Sequence, residues 1–255
     1  MATVLLIHGA LVDARVWKPV LDALPGTLSV VVPQFAGVFP DTDLAEFGAE
    51  HHVQQLEGLL PALARPLIVV GHSRGGRLAL ELARRQGWRI DALVVAEAGG
   101  IMEEVLVPNA GWKVAGALNE AVALLAAGRR REAARSYIES GHGAGSFDGL
   151  PELVRQCAVD NIHTLPAMLA DRSVPLTRRM FREIACSTTL VEASGSPPIF
   201  AAIADAAVGE NPRFVRHTLD GFDHFFPFRA PDAFARVIAA CTPAAATPPD
   251  GQVRY

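Results

Sequence analysis

Short, almost fully apolar runs alternate along this chain with longer segments that have helical periodicity. The apolar runs contain few of the alternating polar positions that a half-exposed strand would show. Strands of this kind are typical of a parallel sheet that is covered by helices on both faces. The pattern therefore predicts an α/β domain with a mostly parallel, twisted sheet. The predicted strands are Val4–His8, Leu28–Pro33, Leu67–Gly71, Ala92–Ala96, Thr188–Glu192 and Phe214–Leu219.

The alternation of strands and helices stops between residues 100 and 185, where several helical patterns occur without a convincing strand. A helical insertion between two strands would lie over the carboxyl edge of the sheet, where open α/β sheets bind ligands. We therefore expect a core of residues 1–99 and 186–242, and a helical cap (lid) of residues 100–185. Residues 243–255, rich in proline and alanine, are expected to form an irregular tail.

Composition excludes several classes of protein. The chain has 255 residues, half of them hydrophobic, which is enough for one large buried core. Its formal charge of -4 is spread without a basic stripe, so nucleic acid is not an expected partner. The apolar run at the start is too short to span a bilayer and lacks a charged leader, so we expect a cytoplasmic protein that does not contact membranes. The oligomeric state is left open.

The strongest chemical signal is the segment Gly71-His72-Ser73-Arg74-Gly75, which lies between the third predicted strand and a helical pattern. A G-x-S-x-G segment in this context predicts a nucleophile elbow. The turn forces its central residue into a strained backbone conformation, and the flanking glycines leave room for the close approach of neighbouring chain. We therefore expect the Oγ atom of Ser73 to stand exposed at the top of the sheet as a nucleophile.

A serine nucleophile needs a base and donors that stabilise an oxyanion. His224 is the candidate base, because it lies in the loop Gly221–Pro227 that follows the last predicted strand. The backbone amides of Ala10 and Arg74 are the candidate oxyanion donors. Ala10 belongs to the turn after the first strand, and Arg74 directly follows the nucleophile.

The other histidines receive structural interpretations. His8 at a strand end is expected to brace the turn by hydrogen bonds, and the place of His72 on the elbow points it away from Ser73. The pair His51-His52 is expected to be solvated on a helix. The segment Gly141–Gly145 is interpreted as a flexible cap loop. Neither the histidines nor the three cysteines have the spacing of a metal site, so no metal is expected.

Together these pieces resemble the α/β-hydrolase fold superfamily. The matching segments are His8-Gly9-Ala10, Gly71–Gly76 and Gly221–Pro227, in that order along the chain. The resemblance covers residues 3 to about 241, and the helical insertion occupies the place of that family's cap. It implies a hydrolase with a serine, an acid and a histidine that uses no metal and no organic cofactor.

The acid is the point at which the sequence departs from the commonest pattern of that family. The usual aspartate position, after the penultimate strand and ahead of a proline, is occupied by Ser196, whose hydroxyl cannot carry the required charge. Glu97 closes the fourth predicted strand and would bury a charge for which His224 is a suitable partner. Glu97 is therefore the preferred acid, and Glu192 and Asp205 remain alternatives.

An acid after the strand that follows the elbow also resembles the zearalenone-lactonase-like subset of the family. The resemblance favours a serine hydrolase that cleaves a carboxylic ester or lactone through an acyl-enzyme on Ser73. A lid with few charges indicates a small apolar substrate, and Trp112, Phe222 and Phe225 are candidate contacts for it. Two alternatives stay open: a non-hydrolytic enzyme, such as a lyase or cyclase, and a small-molecule receptor with slow turnover. Nothing in the sequence separates lactone from linear ester.

Overall fold

A single parallel sheet forms the centre of the molecule in the computed structural model, which describes residues 1–103 and 115–242. The sheet has the order β2-β1-β3-β4-β5-β6, and every neighbouring pair of strands is parallel. All six predicted strands are confirmed. Their observed bounds are β1 Thr3–Ile7, β2 Ser29–Val31, β3 Leu67–His72, β4 Ala92–Ala96, β5 Ser187–Ala193 and β6 Phe214–Leu219.

Helices connect these strands and cover both faces of the sheet. None of the helices in residues 1–103 and 115–242 is long and apolar enough to cross a membrane. The helices are α1 Lys18–Ala23, α2 Ala49–Leu59, α3 Arg74–Gln86, α4 Ala115–Ala126, α5 Arg130–His142, α6 Glu152–Asn161, α7 Leu165–Ala170, α8 Arg178–Glu183, α9 Pro198–Glu210, α10 Phe226–Arg229 and α11 Pro231–Ala240. Short 3₁₀ turns span Ala14–Trp17, Leu60–Ala62, Gly87–Arg89 and Ile162–Thr164.

The apolar character of the strands follows from burial on both sides of the sheet. Successive side chains of a strand point to opposite faces. Accordingly, Val4 and Leu6 belong to one hydrophobic cluster, whereas Leu5 and Ile7 belong to the cluster on the other face. All four side chains are fully buried. A strand with two buried faces has no position for polar residues, which explains its continuous apolar run.

The insertion between β4 and β5 contains helices α4 to α8. Helix α5 packs against α4 and α6, and these helices share the cluster of Val4 and Leu6. Helix α8 instead packs against α3 and α9 on the opposite face. The two ends of the insertion meet, because Leu176 N–H donates to Ile101 O at 2.8 Å and Glu103 N–H donates to Leu176 O at 3.1 Å. The expected tail, residues 243–255, lies outside the described residues.

Candidate active site

The turn between β3 and α3 has the geometry expected of a nucleophile elbow. Ser73 has φ 55° and ψ −122°, a conformation that side-chain-bearing residues rarely adopt. A Cβ atom on Gly71 would lie 2.3 Å from the carbonyl oxygen of Gly75, and one on Gly75 would lie 2.2 Å from that of Ile7. Only glycine fits both positions. The amide of Ser73 donates to Ala96 O at 2.9 Å, which fixes the elbow to the end of β4.

His224 and Glu97 form a buried hydrogen-bonded pair although they are far apart in the sequence. The distance between His224 Nδ1 and Glu97 Oε2 is 2.7 Å. The other carboxylate oxygen, Oε1, accepts from the amide of Ala193 at 2.8 Å. Because a carboxylate only accepts, the proton of the neutral imidazole is assigned to Nδ1. The Nε2 atom of His224 therefore has a free lone pair for a reacting hydroxyl.

Burial controls the protonation of this pair. Burial lowers the pKa of His224, and the Glu97 carboxylate opposes that shift because it stabilises an imidazolium. Burial raises the pKa of Glu97, against the opposing effects of the Ser196 hydroxyl and the Ala193 amide. Ser196 Oγ is itself buried near Glu97 and makes no hydrogen bond in the described part of the chain. At neutral pH the pair is thus a neutral imidazole beside a carboxylate.

The two alternative acids have a different partner. Glu192 Oε1 accepts from Arg216 Nε at 2.7 Å and from Thr218 Oγ1 at 3.1 Å. Asp205 also forms an ion pair with Arg216. Within the described residues, neither carboxylate forms a hydrogen bond with His224. Glu97 is therefore the carboxylate that the fold places on the imidazole.

The turn after β1 lies directly against the elbow. A Cβ atom on Gly9 would be 3.2 Å from the Cβ of Ser73. Ala10 and Arg74 border the same cavity as Ser73. No backbone hydrogen bond from the amide of Ala10 or of Arg74 occurs in residues 1–103 and 115–242. Two open N–H groups beside a serine can stabilise a developing oxyanion.

A cavity of about 360 Å³ opens above the elbow. Ser73 and His224 border it, and so do Tyr137, Ser140 and His142 from the C-terminal half of α5. Most of the remaining lining is apolar, with three arginines added. These side chains are Ile101, Met102, Leu118, Met168, Leu169, Ile199, Phe200, Ile203, Arg74, Arg77 and Arg172. The cavity can hold a small organic molecule in contact with the serine and the histidine.

His142 is a residue of the site that sequence reasoning missed. The prediction of a flexible loop is wrong at this position, because His142 is the last residue of α5. Its ring lies 4.7 Å from that of His224 at an interplanar angle of 15°. The ring of Phe200 is also nearly parallel to His224, at 4.4 Å and 11°. Burial lowers the pKa of His142 to about 3, so this ring stays neutral. Only the packing of α5 over the sheet brings it to the site.

His72 and His8 both support the loops of the site. His72 Nε2 donates to the backbone oxygen of His224 at 2.9 Å, and the two rings are 4.6 Å apart. Its side chain therefore faces the histidine loop and helps to hold it. His8 Nδ1 lies 3.1 Å from Gly9 O, which agrees with a role in bracing the turn.

The expectation that His52 is solvated is wrong. Its side chain is fully buried and stacks on Phe35, with ring centroids 4.5 Å apart. Nε2 of His52 is 2.9 Å from Ala36 O, and Nδ1 accepts from Arg74 Nη2 at 2.9 Å. No local pattern distinguishes His52 from His51, its exposed neighbour on α2, because burial here depends on contacts with other elements.

The candidate substrate contacts are placed differently from one another. Phe225 borders a smaller neighbouring cavity together with His142 and His224. Phe222 borders none of the described cavities; it packs against the core, and its carbonyl accepts from Gly195 N–H at 2.8 Å. Trp112 lies outside the described residues. No cluster of three or more potential metal ligands is found within residues 1–103 and 115–242.

Comparisons with known proteins give the same fold. A model of the alpha/beta hydrolase family matches residues 4–237. Lipase LipV of Mycobacterium tuberculosis is 32% identical over 97 residues, which are 38% of this chain and 37% of that protein. The chain covers only 30% of the length of the uncharacterized Mycobacterium tuberculosis protein that it also matches.

Solved structures align over almost the whole chain. The MenH structure from S. aureus has a TM-score of 0.77 and 19% identity, covering 94% of this chain and 92% of that one. The esterase from Exiguobacterium antarcticum has a TM-score of 0.78 and 13% identity, covering 94% and 91%. At these identities the likeness concerns the fold alone, and it confirms the predicted architecture.

Proposed function

Because the chain belongs to the alpha/beta hydrolase family, we propose that it is a serine hydrolase that cleaves a small carboxylic ester or lactone. In this mechanism, His224 Nε2 removes the proton of the Ser73 hydroxyl while Oγ attacks the carbonyl carbon. The amides of Ala10 and Arg74 bind the oxyanion. His224 then gives the proton to the leaving alkoxide, and an acyl-enzyme on Ser73 remains.

The second half of the mechanism repeats these roles with water. His224 removes a proton from water, the hydroxide attacks the acyl carbon, and the proton returns to Ser73 as the acid leaves. Throughout, the carboxylate of Glu97 holds the Nδ1–H tautomer of His224 and stabilises the imidazolium that forms transiently. The proposed mechanism uses no metal and no organic cofactor.

The observation that carries this proposal is the 2.7 Å contact between His224 and Glu97 beside Ser73. A strained serine and an imidazole that border one cavity, with a buried carboxylate hydrogen-bonded to the imidazole, are the groups that acyl transfer requires. A receptor for a small molecule would not need all three groups. The local similarity to Lipase LipV also supports ester hydrolysis over a lyase or cyclase reaction.

Residues 100–185 act in this proposal as a cap that forms one wall of the cavity. Helix α5 supplies three cavity-lining residues, Tyr137, Ser140 and His142. We also propose that the chain is related to the zearalenone-lactonase-like subset of the family, because its candidate acid, Glu97, follows β4.

The variant Ser73→Ala tests the proposal. Purified wild-type and variant proteins are compared on a panel of p-nitrophenyl esters and lactones, and a fluorophosphonate probe reports covalent labelling of the serine. We expect the variant to lose kcat by a factor on the order of 10⁶, which is the scale for a triad nucleophile. The probe should label the wild type and leave the variant unlabelled.

A matched control is Ser187→Ala, because Ser187 is exposed at the start of β5. It should keep both the activity and the labelling of the wild type. Ester hydrolysis by Ser73→Ala at the wild-type rate would disprove the serine mechanism. Labelling of Ser73 without turnover of any ester or lactone would favour the lyase, cyclase or receptor alternatives instead.

A further inference from the structure

Two buried arginines border the cavity of Ser73. Arg74 is 5% exposed and Arg77 is 3% exposed, and both line the cavity. In residues 1–103 and 115–242, neither forms an ion pair. On the same helix, Arg84 and Arg85 show the usual arrangement, because both bind the carboxylate of Glu81. A buried charge without a counter-charge is costly, so an arrangement with two of them needs an explanation.

The hydrogen bonds of the two guanidinium groups go to neutral partners only. Arg74 Nη2 donates to His52 Nδ1 at 2.9 Å, and Arg77 Nη1 donates to Val174 O at 3.1 Å. The Nε atoms of both side chains are buried and have no partner among the described residues. Within the described residues, each guanidinium therefore keeps an unused donor and has no ion-pair partner.

The carboxylate of Asp171, which acts on both arginines, is already occupied by other hydrogen bonds. Asp171 raises the pKa of both arginines, but it forms no ion pair with either in the described chain. Its oxygens accept from Ala49 N at 2.7 Å and from both the amide and the hydroxyl of Ser173, at 2.9 and 2.6 Å. Burial lowers the pKa of both guanidinium groups, which nevertheless remain charged at physiological pH.

The fold brings the Arg77 side chain to the cavity that Ser73 borders. Arg77 lies one helical turn after Ser73, and its amide is 3.3 Å from Ser73 O. Helical side chains lean toward the N-terminus of their helix, which here is the end that carries Ser73. The Arg77 guanidinium fits beneath Gly100, where a Cβ atom would lie 2.8 Å from Arg77 Nε. The N-terminus of α3 adds positive potential to the same place.

We propose that Arg77, together with Arg74, binds a carboxylate of the substrate, so that the enzyme acts on anionic esters or lactones. This inference rests on the serine hydrolase function proposed above. Arg77 and Ser73 border the same cavity of about 360 Å³, so the carboxylate and the reacting carbonyl belong to one small molecule, as in a monoester of an aliphatic dicarboxylic acid.

The remainder of the lining fits the alkyl part of such a molecule. Ile199, Phe200 and Ile203 from α9 border the cavity together with Met168 and Leu169. The expectation of a wholly apolar substrate rested on the few charges in the sequence of the insertion. It did not include the arginines of α3, which belong to the core.

A pair of matched esters tests the inference. The 4-nitrophenyl monoester of adipic acid is compared with the same compound whose free carboxylate is capped as a methyl ester. We expect wild-type kcat/KM to be roughly 10- to 100-fold higher for the anion, the range for charge-assisted hydrogen bonds. The variant Arg77→Met should abolish this preference, so that it hydrolyses the two esters with similar kcat/KM.

Binding without turnover provides a second measurement. Adipate should raise the melting temperature of Ser73→Ala and should fail to do so in the double variant Ser73→Ala/Arg77→Met, whereas adipamide should have no effect on either. Arg84→Met is the control for loss of an arginine on the same helix. Because Arg77 is a buried charge that has no ion-pair partner among the described residues, Arg77→Met should fold at least as well as the wild type.

The outcomes separate this inference from the general function. Equal rates on the charged and capped esters, with Ser73 labelled by the fluorophosphonate, would overturn the carboxylate site and keep the serine hydrolase. A preference for the anion that persists in Arg77→Met and in Arg74→Met would also overturn it. Absence of both turnover and labelling would disprove the hydrolase itself.

Discussion

Unusual backbone conformations mark the site at the scale of single residues. Among the described non-glycine residues, those with positive φ are Leu11 at 55°, Ser73 at 55° and Glu97 at 47°. Leu11 follows the proposed oxyanion donor Ala10, and the other two are the proposed nucleophile and acid. Such conformations cost about 1–3 kcal/mol each. The strain is therefore concentrated at the proposed nucleophile, the proposed acid and the turn that carries an oxyanion donor.

We predict that removal of the Glu97 charge impairs turnover. Glu97→Gln keeps the shape of the side chain and removes the charge that stabilises the His224 imidazolium. We expect kcat/KM to fall by up to about 10⁴-fold. Without the carboxylate the pKa of His224 falls further, so the acid limb of the pH profile should move to lower pH. Stopped-flow or steady-state assays from pH 4 to 9 measure both effects.

A relocation of the acid gives a sharper form of the same test. Ser196 occupies the usual acid position of the family and is close enough to Glu97 to lower its pKa. We expect Glu97→Ala to be inactive and Glu97→Ala/Ser196→Asp to recover at least about tenfold in kcat/KM. Glu192→Gln and Asp205→Asn are the controls, because both carboxylates bind Arg216. A large loss in either control together with an active Glu97→Gln would contradict Glu97 as the acid.

At the scale of elements, helix α5 connects the insertion with the histidine of the core. Its last residue, His142, stacks on His224. An aromatic pair of this kind contributes about 0.5–1.5 kcal/mol. We therefore expect His142→Ala to lower kcat by about 2- to 10-fold, since a looser His224 ring is less often correctly oriented. His142→Phe, which keeps a flat ring, should retain most of the activity.

The control for this element is Glu132→Ala at the start of α5, where Glu132 is exposed and binds Arg129. It should change neither kcat nor KM. If His142→Ala and His142→Phe lose activity equally, the polar atoms of His142 rather than its stacking contribute to turnover. If neither changes kcat or KM, the predicted link between α5 and His224 is absent.

The stability of the whole molecule should depend on pH because several histidines are buried in neutral form. Burial lowers the pKa of His8 to about 4 and that of His52 and His72 to about 3. In the unfolded chain these groups titrate near pH 6.5. The stability that they contribute is fully present above that value and is lost as the pH falls toward the folded pKa values. Each histidine contributes a slope of up to about 1.4 kcal/mol per pH unit.

Urea unfolding at pH 7, 6 and 5 measures this dependence. We expect the free energy of unfolding to fall steadily over this range. His52→Gln, whose side chain can still accept a hydrogen bond from Arg74, should lower the number of protons taken up on unfolding by up to about one per molecule, and so should reduce the slope. His51→Gln, at the exposed neighbouring position, should leave the slope unchanged. Stability that is independent of pH between 5 and 7 would contradict the burial of neutral histidines.

The sequence by itself determined the framework of the molecule. The central strands β1, β3 and β4 were predictable because burial on both faces of a sheet requires continuous apolar runs, which are local signals. Ser73 was predictable because a strained turn between β3 and α3 admits only glycine at Gly71 and Gly75. His224 followed from its place after the last strand. In each case a few neighbouring residues contain the whole physical reason.

Tertiary structure alone decided which distant groups meet. Glu97 and Glu192 both lie near carboxyl ends of strands, but Glu97 reaches His224 and Glu192 reaches Arg216. The stacking of His142 on His224 depends on how α5 packs over the sheet. Whether a polar side chain such as Arg77 is buried or solvated depends on what other elements cover it. These contacts join residues that are far apart in the chain, so no local spacing specifies them, and only the packed molecule does.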